Sequence, residues 1–212
     1  MPERSSPPRW LPFVVLGLGL MAISFGAILA RFAQGYGLPS LAIATLRLGL
    51  AALIITPVAL WKSRRSLLAM NRRQGMLTLG AGFFLALHFA TWISSLEYTS
   101  VASSTALVTT NLLWIGIASF VLFGDRPGWV MLCGIAISLS GSLMIFWSDS
   151  SNSVAGSNPL LGNALALVGS WCFSAYLLIG RRLRADMPLP AYVWLAYGAA
   201  ALILLAACGS AG

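Results

Sequence analysis

Long apolar runs separated by short polar breaks organise the chain. Crossing about 30 Å of hydrocarbon takes roughly 20 helical residues. Windows of that length fit seven times, at 11–31, 39–61, 75–95, 101–123, 128–147, 159–180 and 190–208. The pattern predicts an all-α polytopic membrane protein with about seven transmembrane helices. The most polar stretch of membrane length runs from His88 to Gly134. It carries His88, a break from Glu97 to Val101, the hydroxyls of Thr109 and Thr110, Asn111, and a hairpin reading GDRPGW. Polar side chains placed in hydrocarbon must face other helices or a water-filled cavity, so this stretch reads as half of a pathway through the membrane.

Composition supports the same class. Of 212 residues, 58% are apolar and only 8% charged, against about 25% charged in soluble domains. The formal charge of +8 would suggest nucleic acid in a soluble protein, but here the basic residues lie between apolar runs and report topology. Arg4, Arg9, Lys62, Arg64, Arg65, Arg72, Arg73, Arg126, Arg181, Arg182 and Arg184 fall on one side, eleven of the 13. Arg31 stands alone on the other side, and Arg47 lies inside the second window. Positive charge resists translocation. The N-terminus and the basic loops are therefore expected in the cytoplasm, with the chain multi-pass in the cytoplasmic membrane. Its partners are then the lipid bilayer and a small-molecule solute, with no nucleic acid. The first window follows arginines as a signal peptide would, but it is too long and lacks a cleavage site followed by a soluble domain. Cys133, Cys172 and Cys208 sit inside apolar runs without metal-ligand spacing; they read as packing residues, and no metal or cofactor is called for.

The chain repeats itself. At an offset of 148, Phe25 to Leu29 fall on Phe173 to Leu177; at 149, Leu38 and Pro39 fall on Met187 and Pro188, and Ala51 to Ile54 on Ala200 to Ile203. Five windows precede the Ser/Asn/Gly-rich linker 148–158, so the second copy enters the membrane from the opposite side. The expected organisation is one complete five-helix repeat in 1–147, an extracytoplasmic linker in 148–158, and two helices beginning a second, inverted repeat in 159–212. Inverted repeats surround the midplane sites of many secondary transporters.

Several intramembrane residues are candidates for that pathway. Arg47 lies about 12 Å below the outer boundary near Pro39, where an arginine costs on the order of 2.5–3.5 kcal/mol unless paired or hydrated. It is either a snorkelling anchor or a pathway residue. His88 shares a helical face with Thr91, Trp92 and Ser95. It could carry protons or touch a solute, or it could be a neutral histidine bonded to a neighbouring helix. Asn111, with Trp114 one turn on, is helix glue or a solute contact. Trp171 and Tyr176 offer packing or an aromatic platform. Gly134, Ser138 and Gly141 form one stripe of span five, expected to admit close helix contact.

At these residues the chain resembles the EamA branch of the drug/metabolite transporter superfamily, over essentially its whole length. The resemblance rests on Arg47, on Leu96-Glu97-Tyr98-Thr99-Ser100, on Gly134 and Gly141, and on Gly124-Asp125-Arg126 where the family usually has Gly-Glu-Arg. His88 to Asn111 is similar to a subset carrying a His-Phe-x-x-Trp run. Leu112 stands where the family usually has a proline. The resemblance implies ten helices in two inverted repeats, both termini cytoplasmic, and secondary transport of metabolites, amino acids or drugs. A proton or another ion is the candidate coupling partner. On this comparison three helices of the second repeat are lacking, so the chain as given is expected not to transport alone. A homodimer is the candidate source of the missing wall, although the charge asymmetry opposes dual insertion.

Two other classes compete. A membrane enzyme would use His88 and Glu97 as an acid/base pair, but nine residues span roughly 13 Å of helix, beyond hydrogen-bond reach. We therefore expect no enzyme. A non-transporting fragment or a structural membrane protein is the alternative reading. The orientation is testable: with the native cysteines replaced, Ser151→Cys should react with an impermeant maleimide added outside the cell. Reaction from the cytoplasm alone would reverse the topology and remove the inverted-repeat argument.

Overall fold

The computed structural model describes residues 8, 10–151 and 157–210; Arg4, Arg9 and residues 152–156 of the expected linker lie outside them. Among the described residues there are eight helices and no strands: α1 (Leu11–Gly35), α2 (Ser40–Leu68), α3 (Arg72–Tyr98), α4 (Val101–Thr109), α5 (Asn111–Phe123), α6 (Trp129–Ser151), α7 (Pro159–Leu183) and α8 (Leu189–Ser210). Six segments are long and apolar enough to cross a bilayer, with α4 and α5 counting as one, and Trp129–Met144 of α6 is a shorter apolar seventh. The protein is a polytopic helical membrane protein.

Local chemistry sets the helix ends. The α2–α3 turn closes with a capping box in which Asn71 Oδ1 accepts from Gln74 N–H (2.8 Å) and Gln74 Oε1 accepts from Asn71 N–H (3.1 Å). The expected five-residue break after span three shrinks to Thr99 and Ser100, because Ser100 Oγ accepts from Ser103 N–H at 3.0 Å and starts α4 at once. Gly124 ends α5 at φ 70°; the Asp125 N–H bond back to the Ser119 carbonyl (3.4 Å) completes the turn, which needs this left-handed residue. Asn158 caps α7 ahead of Pro159.

Span four is interrupted although Leu112 replaces the familiar proline. Thr110 N–H bonds to the Leu107 carbonyl (3.2 Å), one residue short of the α-helical partner, and Thr110 Oγ1 bonds to the same carbonyl (2.6 Å). Such side-chain back-bonding bends helices. The Ala106 carbonyl, left without its usual N–H, accepts from Thr109 Oγ1 (2.8 Å) and from Ser142 Oγ of α6 (3.2 Å).

Helix α3 is the axis of the fold. It lies along α7 on one side and α8 on another, while α2 packs along α8. Lipid is as apolar as leucine, so close packing and hydrogen bonds, rather than water exclusion, hold such helices together. Small residues permit the approach. A Cβ at Gly82 would lie 2.6 Å from Ala199 Cβ, and one at Gly162 would lie 2.7 Å from Thr99 Cβ. At the end away from the basic loops, Arg31 Nη1 donates to the Leu96 carbonyl and Ser40 Oγ to Glu97. Gln34 Nε2 donates to Ser40 Oγ and the Ile93 carbonyl, both at 2.8 Å.

Among the described residues, the close contact expected at Gly134 and Gly141 of the stripe with Ser138 is not formed at the two glycines. No described atom beyond the helix's own nearby backbone comes within 4 Å of a Cβ position at Gly134 or Gly141; α6 meets its neighbours through Met131 and Ile135 beside Gly116, and through Ser142. A stripe of small residues permits close approach but does not itself attract a partner. Gly82→Val should therefore lower stability by about 1–3 kcal/mol through overpacking, while Gly134→Val should change it by no more than about 0.5 kcal/mol. Thermal unfolding midpoints in detergent check both, and equal losses would refute this packing scheme.

Candidate functional site

Midway along α3, three helices of the bundle converge on His88. Its ring is buried, and Nδ1 lies 2.9 Å from the Gly169 carbonyl of α7. A carbonyl can only accept, so Nδ1 carries the proton and, in the neutral ring, Nε2 is the bare acceptor. Gly169 allows this approach, since a Cβ there would meet Thr91 Oγ1 at 3.1 Å. The imidazole stacks between Phe173 of α7 (centroids 4.6 Å apart) and Trp92 (5.7 Å), with Phe89 edge-on at 4.8 Å. The hydroxyls expected to accompany it are already occupied. Thr91 Oγ1 donates to Leu87, and Ser95 Oγ bonds to the Trp92 carbonyl and to Ser104 Oγ, both at 2.6 Å.

Arg47 reaches the same cluster from α2. Its guanidinium carbon lies 5.1 Å from the Phe89 ring centroid and 5.4 Å from that of Trp92, within the range of cation–π attraction. Gly26 of α1 makes room, because a Cβ there would sit 2.7 Å from Arg47 Nη1. Among the described residues no carboxylate pairs with Arg47 and no acceptor receives its N–H groups. Trp92 Nε1, buried in the same place, also lacks an acceptor. Tyr176 continues the aromatic column, stacked on Phe173 at 5.8 Å and on Tyr192 of α8 at 5.7 Å. The Tyr192 hydroxyl donates to the Tyr176 carbonyl at 3.0 Å.

The remaining candidates form a second locus on the opposite face of α7. Trp114 and Trp171 meet edge to face at 5.5 Å, and Trp114 Nε1 donates to Thr110 Oγ1 at 3.3 Å. Trp171 is half exposed, on an open apolar groove with Val121 and Leu178. Asn111 belongs here, its carbonyl accepting from Ser174 Oγ at 3.2 Å. Asn111, a candidate for the same pathway as Arg47, His88 and Trp92, is not part of their cluster: its main-chain carbonyl meets α7 on the face away from His88. Sequence reasoning missed Phe89, Gly26 and the Gly169 carbonyl as members of the site. Phe89, three residues before Trp92, could have been found as the second ring on one helical face. Among the described residues, no three of His, Cys, Asp and Glu come together as metal ligands would.

Comparison with known proteins agrees with this architecture. The EamA-like transporter family model matches residues 3–147. A WAT1-related protein of Arabidopsis thaliana is 23% identical, over 86% of this chain and 56% of its own length. The threonine/homoserine exporter RhtA of Salmonella typhimurium is 29% identical, over 84% of this chain and 56% of its own. A thiamine-repressible mitochondrial transport protein of Saccharomyces cerevisiae is 36% identical, but over only 39% of this chain. The chain thus spans little more than half the length of the two relatives that match most of it. No solved structure matches.

The role of His88 in tying α3 to α7 is open to test. His88→Phe keeps an aromatic ring in the stack and deletes the bond to Gly169. The variant should lose about 0.6–1.7 kcal/mol of stability, the range for interhelical hydrogen bonds in membranes. An unchanged unfolding midpoint would mean that the bond contributes nothing.

Proposed function

The chain belongs to the EamA-like transporter family, and on that premise we propose that it recognises a small solute through its carboxylate, as part of a secondary-active transporter of the cytoplasmic membrane. The recognition site is the cluster of Arg47, His88 and Trp92. One observation carries the reading: two neighbouring N–H donors, the Arg47 guanidinium and the buried Trp92 indole, have no acceptor among the described residues. Unsatisfied donors in hydrocarbon are costly. A carboxylate offers two oxygens and a negative charge, the complement that guanidinium binds best.

The threonine/homoserine exporter supports this choice, since both of its named solutes carry a carboxylate; amino acids come first, then metabolites and drugs with the same group. His88 serves as a positioning residue that holds Trp92 and Phe173 in their stack, and its bare Nε2 is where a coupling proton would bind. The repeat pattern makes α1 and α2 equivalent to α7 and α8 in opposite orientation. The α2 and α8 helices, packed along one another, are then symmetry mates, and alternating access rocks one against the other.

Scintillation-proximity binding of labelled homoserine to the purified chain tests recognition. Saturable binding is expected, with homoserine methyl ester failing to compete. Arg47→Gln should weaken binding about tenfold or more, as expected for losing a hydrogen bond to a charged group. Trp92→Phe, which keeps the ring, should give a smaller loss. Equal competition by the ester, or undiminished binding by Arg47→Gln, overturns the carboxylate reading.

A further inference from the structure

Away from the solute cluster, the ends of α3 and α7 on the basic side enclose a cleft of about 460 Å³ lined by Arg72, Arg73, Met76, Leu77 and Arg182. Three arginines from two helices line one concavity without a carboxylate among them. The ion pair nearby joins Arg181 to Asp125 at 2.6 Å; among the described residues Arg72, Arg73 and Arg182 have neither hydrogen bond nor ion pair. Like charges gathered in this way repel one another unless an anion lies between them.

The surface next to the cleft narrows the choice of anion. Met76, Leu79, Phe83 and Leu87 are exposed and follow Arg72 on one face of α3 at helical spacing. This apolar stripe runs from the arginines along the membrane-spanning length of the helix. A soluble anion would use the arginines and leave the stripe idle, whereas a phospholipid uses both.

We propose that this cleft is a binding site for an anionic phospholipid, its phosphate held by Arg72, Arg73 and Arg182 and one acyl chain lying along Met76 to Leu87. Arginine suits the phosphate because its planar fork engages two oxygens together. Basic pockets between transmembrane helices on the cytoplasmic side recognise such headgroups, and the arginines lie on the side read as cytoplasmic. The site is independent of the solute cluster, and its test does not depend on orientation because a micelle has no sides.

Native mass spectrometry of the purified chain in detergent, with equal phosphatidylglycerol and phosphatidylcholine, reads the preference directly. The wild-type chain should retain phosphatidylglycerol selectively. The double variant Arg72→Gln/Arg182→Gln should lose that selectivity roughly thirtyfold, as expected for removing two basic residues from an anionic headgroup. The charge-matched Arg64→Gln/Arg65→Gln, altered at exposed positions outside the cleft, should keep it, and Arg182→Lys should keep most of it. All variants should unfold at the wild-type temperature without lipid; should the double variant fail to, Arg182→Gln alone provides the comparison. Absent selectivity in the wild-type chain overturns the proposal. Equal losses in the two double variants would assign the effect to diffuse charge and also overturn it. Displacement of the lipid by inorganic phosphate at equal concentration would show a soluble-anion site instead.

Discussion

Hydrocarbon supplies no hydrogen-bond partners, so each polar atom of a spanning helix must find one inside the protein. In α3 and at its C-cap, Thr99, much of that requirement is met by bonds to other helices. His88 satisfies itself on the Gly169 carbonyl of α7, Ser95 on Ser104 of α4, and Thr99 on Asn163 of α7. Its Leu96 carbonyl receives Arg31 of α1. Each of these bonds crosses to another helix, so removing His88, Ser95 or Thr99 also removes a tie, whereas Thr91 bonds within its own helix. The small residues beside these ties act in the same scheme: Gly169 brings the α7 backbone close enough for its carbonyl to meet an imidazole, and Gly162 does the same for Thr99.

The interruption at Thr110 follows from the same rule. A proline would free a carbonyl by lacking an N–H; Thr110 achieves a similar result by drawing its own N–H and hydroxyl to Leu107. The freed carbonyl of Ala106 cannot be left bare in hydrocarbon, and Ser142 of α6 reaches it. A local backbone irregularity thereby becomes the polar tie between α4 and α6. The same hydroxyl of Thr110 also receives the Trp114 indole, which fixes one wall of the groove against Trp171.

What was legible in the sequence depended on range. Apolar windows of membrane length mark the spans, because length and hydropathy are local properties. Their ends moved by several residues where a cap decided them, as Ser100 does in closing the expected break from Glu97 to Val101 to a two-residue turn. Arg47, His88 and Trp92 stood out through the cost of burying them, and the fold brings them together. The grouping of Asn111 with them was not legible, because the spacing along one helix does not say which neighbour it faces or that α7 intervenes. Phe173 and Tyr176 were visible as aromatics, but their stacking on His88 and Tyr192 is a property of helix pairs. Nothing in the sequence marks Gly26 as the residue that makes room for a guanidinium.

The way Arg47 is held bears on what it is for. An arginine at this depth costs on the order of 2.5–3.5 kcal/mol. Attraction to the Phe89 and Trp92 rings returns about 0.5–1 kcal/mol each at exposed sites and about 2 kcal/mol or more where water is excluded, so the rings offset a large share of that cost. A glutamate or aspartate on a facing helix would add to that compensation, but on the proposed reading it would also occupy the donors that a solute carboxylate needs. The rings attract the cation without taking the place of a hydrogen-bond acceptor, and among the described residues its N–H groups have none. On the proposed reading a solute carboxylate would supply the acceptor, with the buried Trp92 indole as a further donor. A site with that role would bind and release its solute without a resident carboxylate to displace, which a paired glutamate or aspartate would not allow.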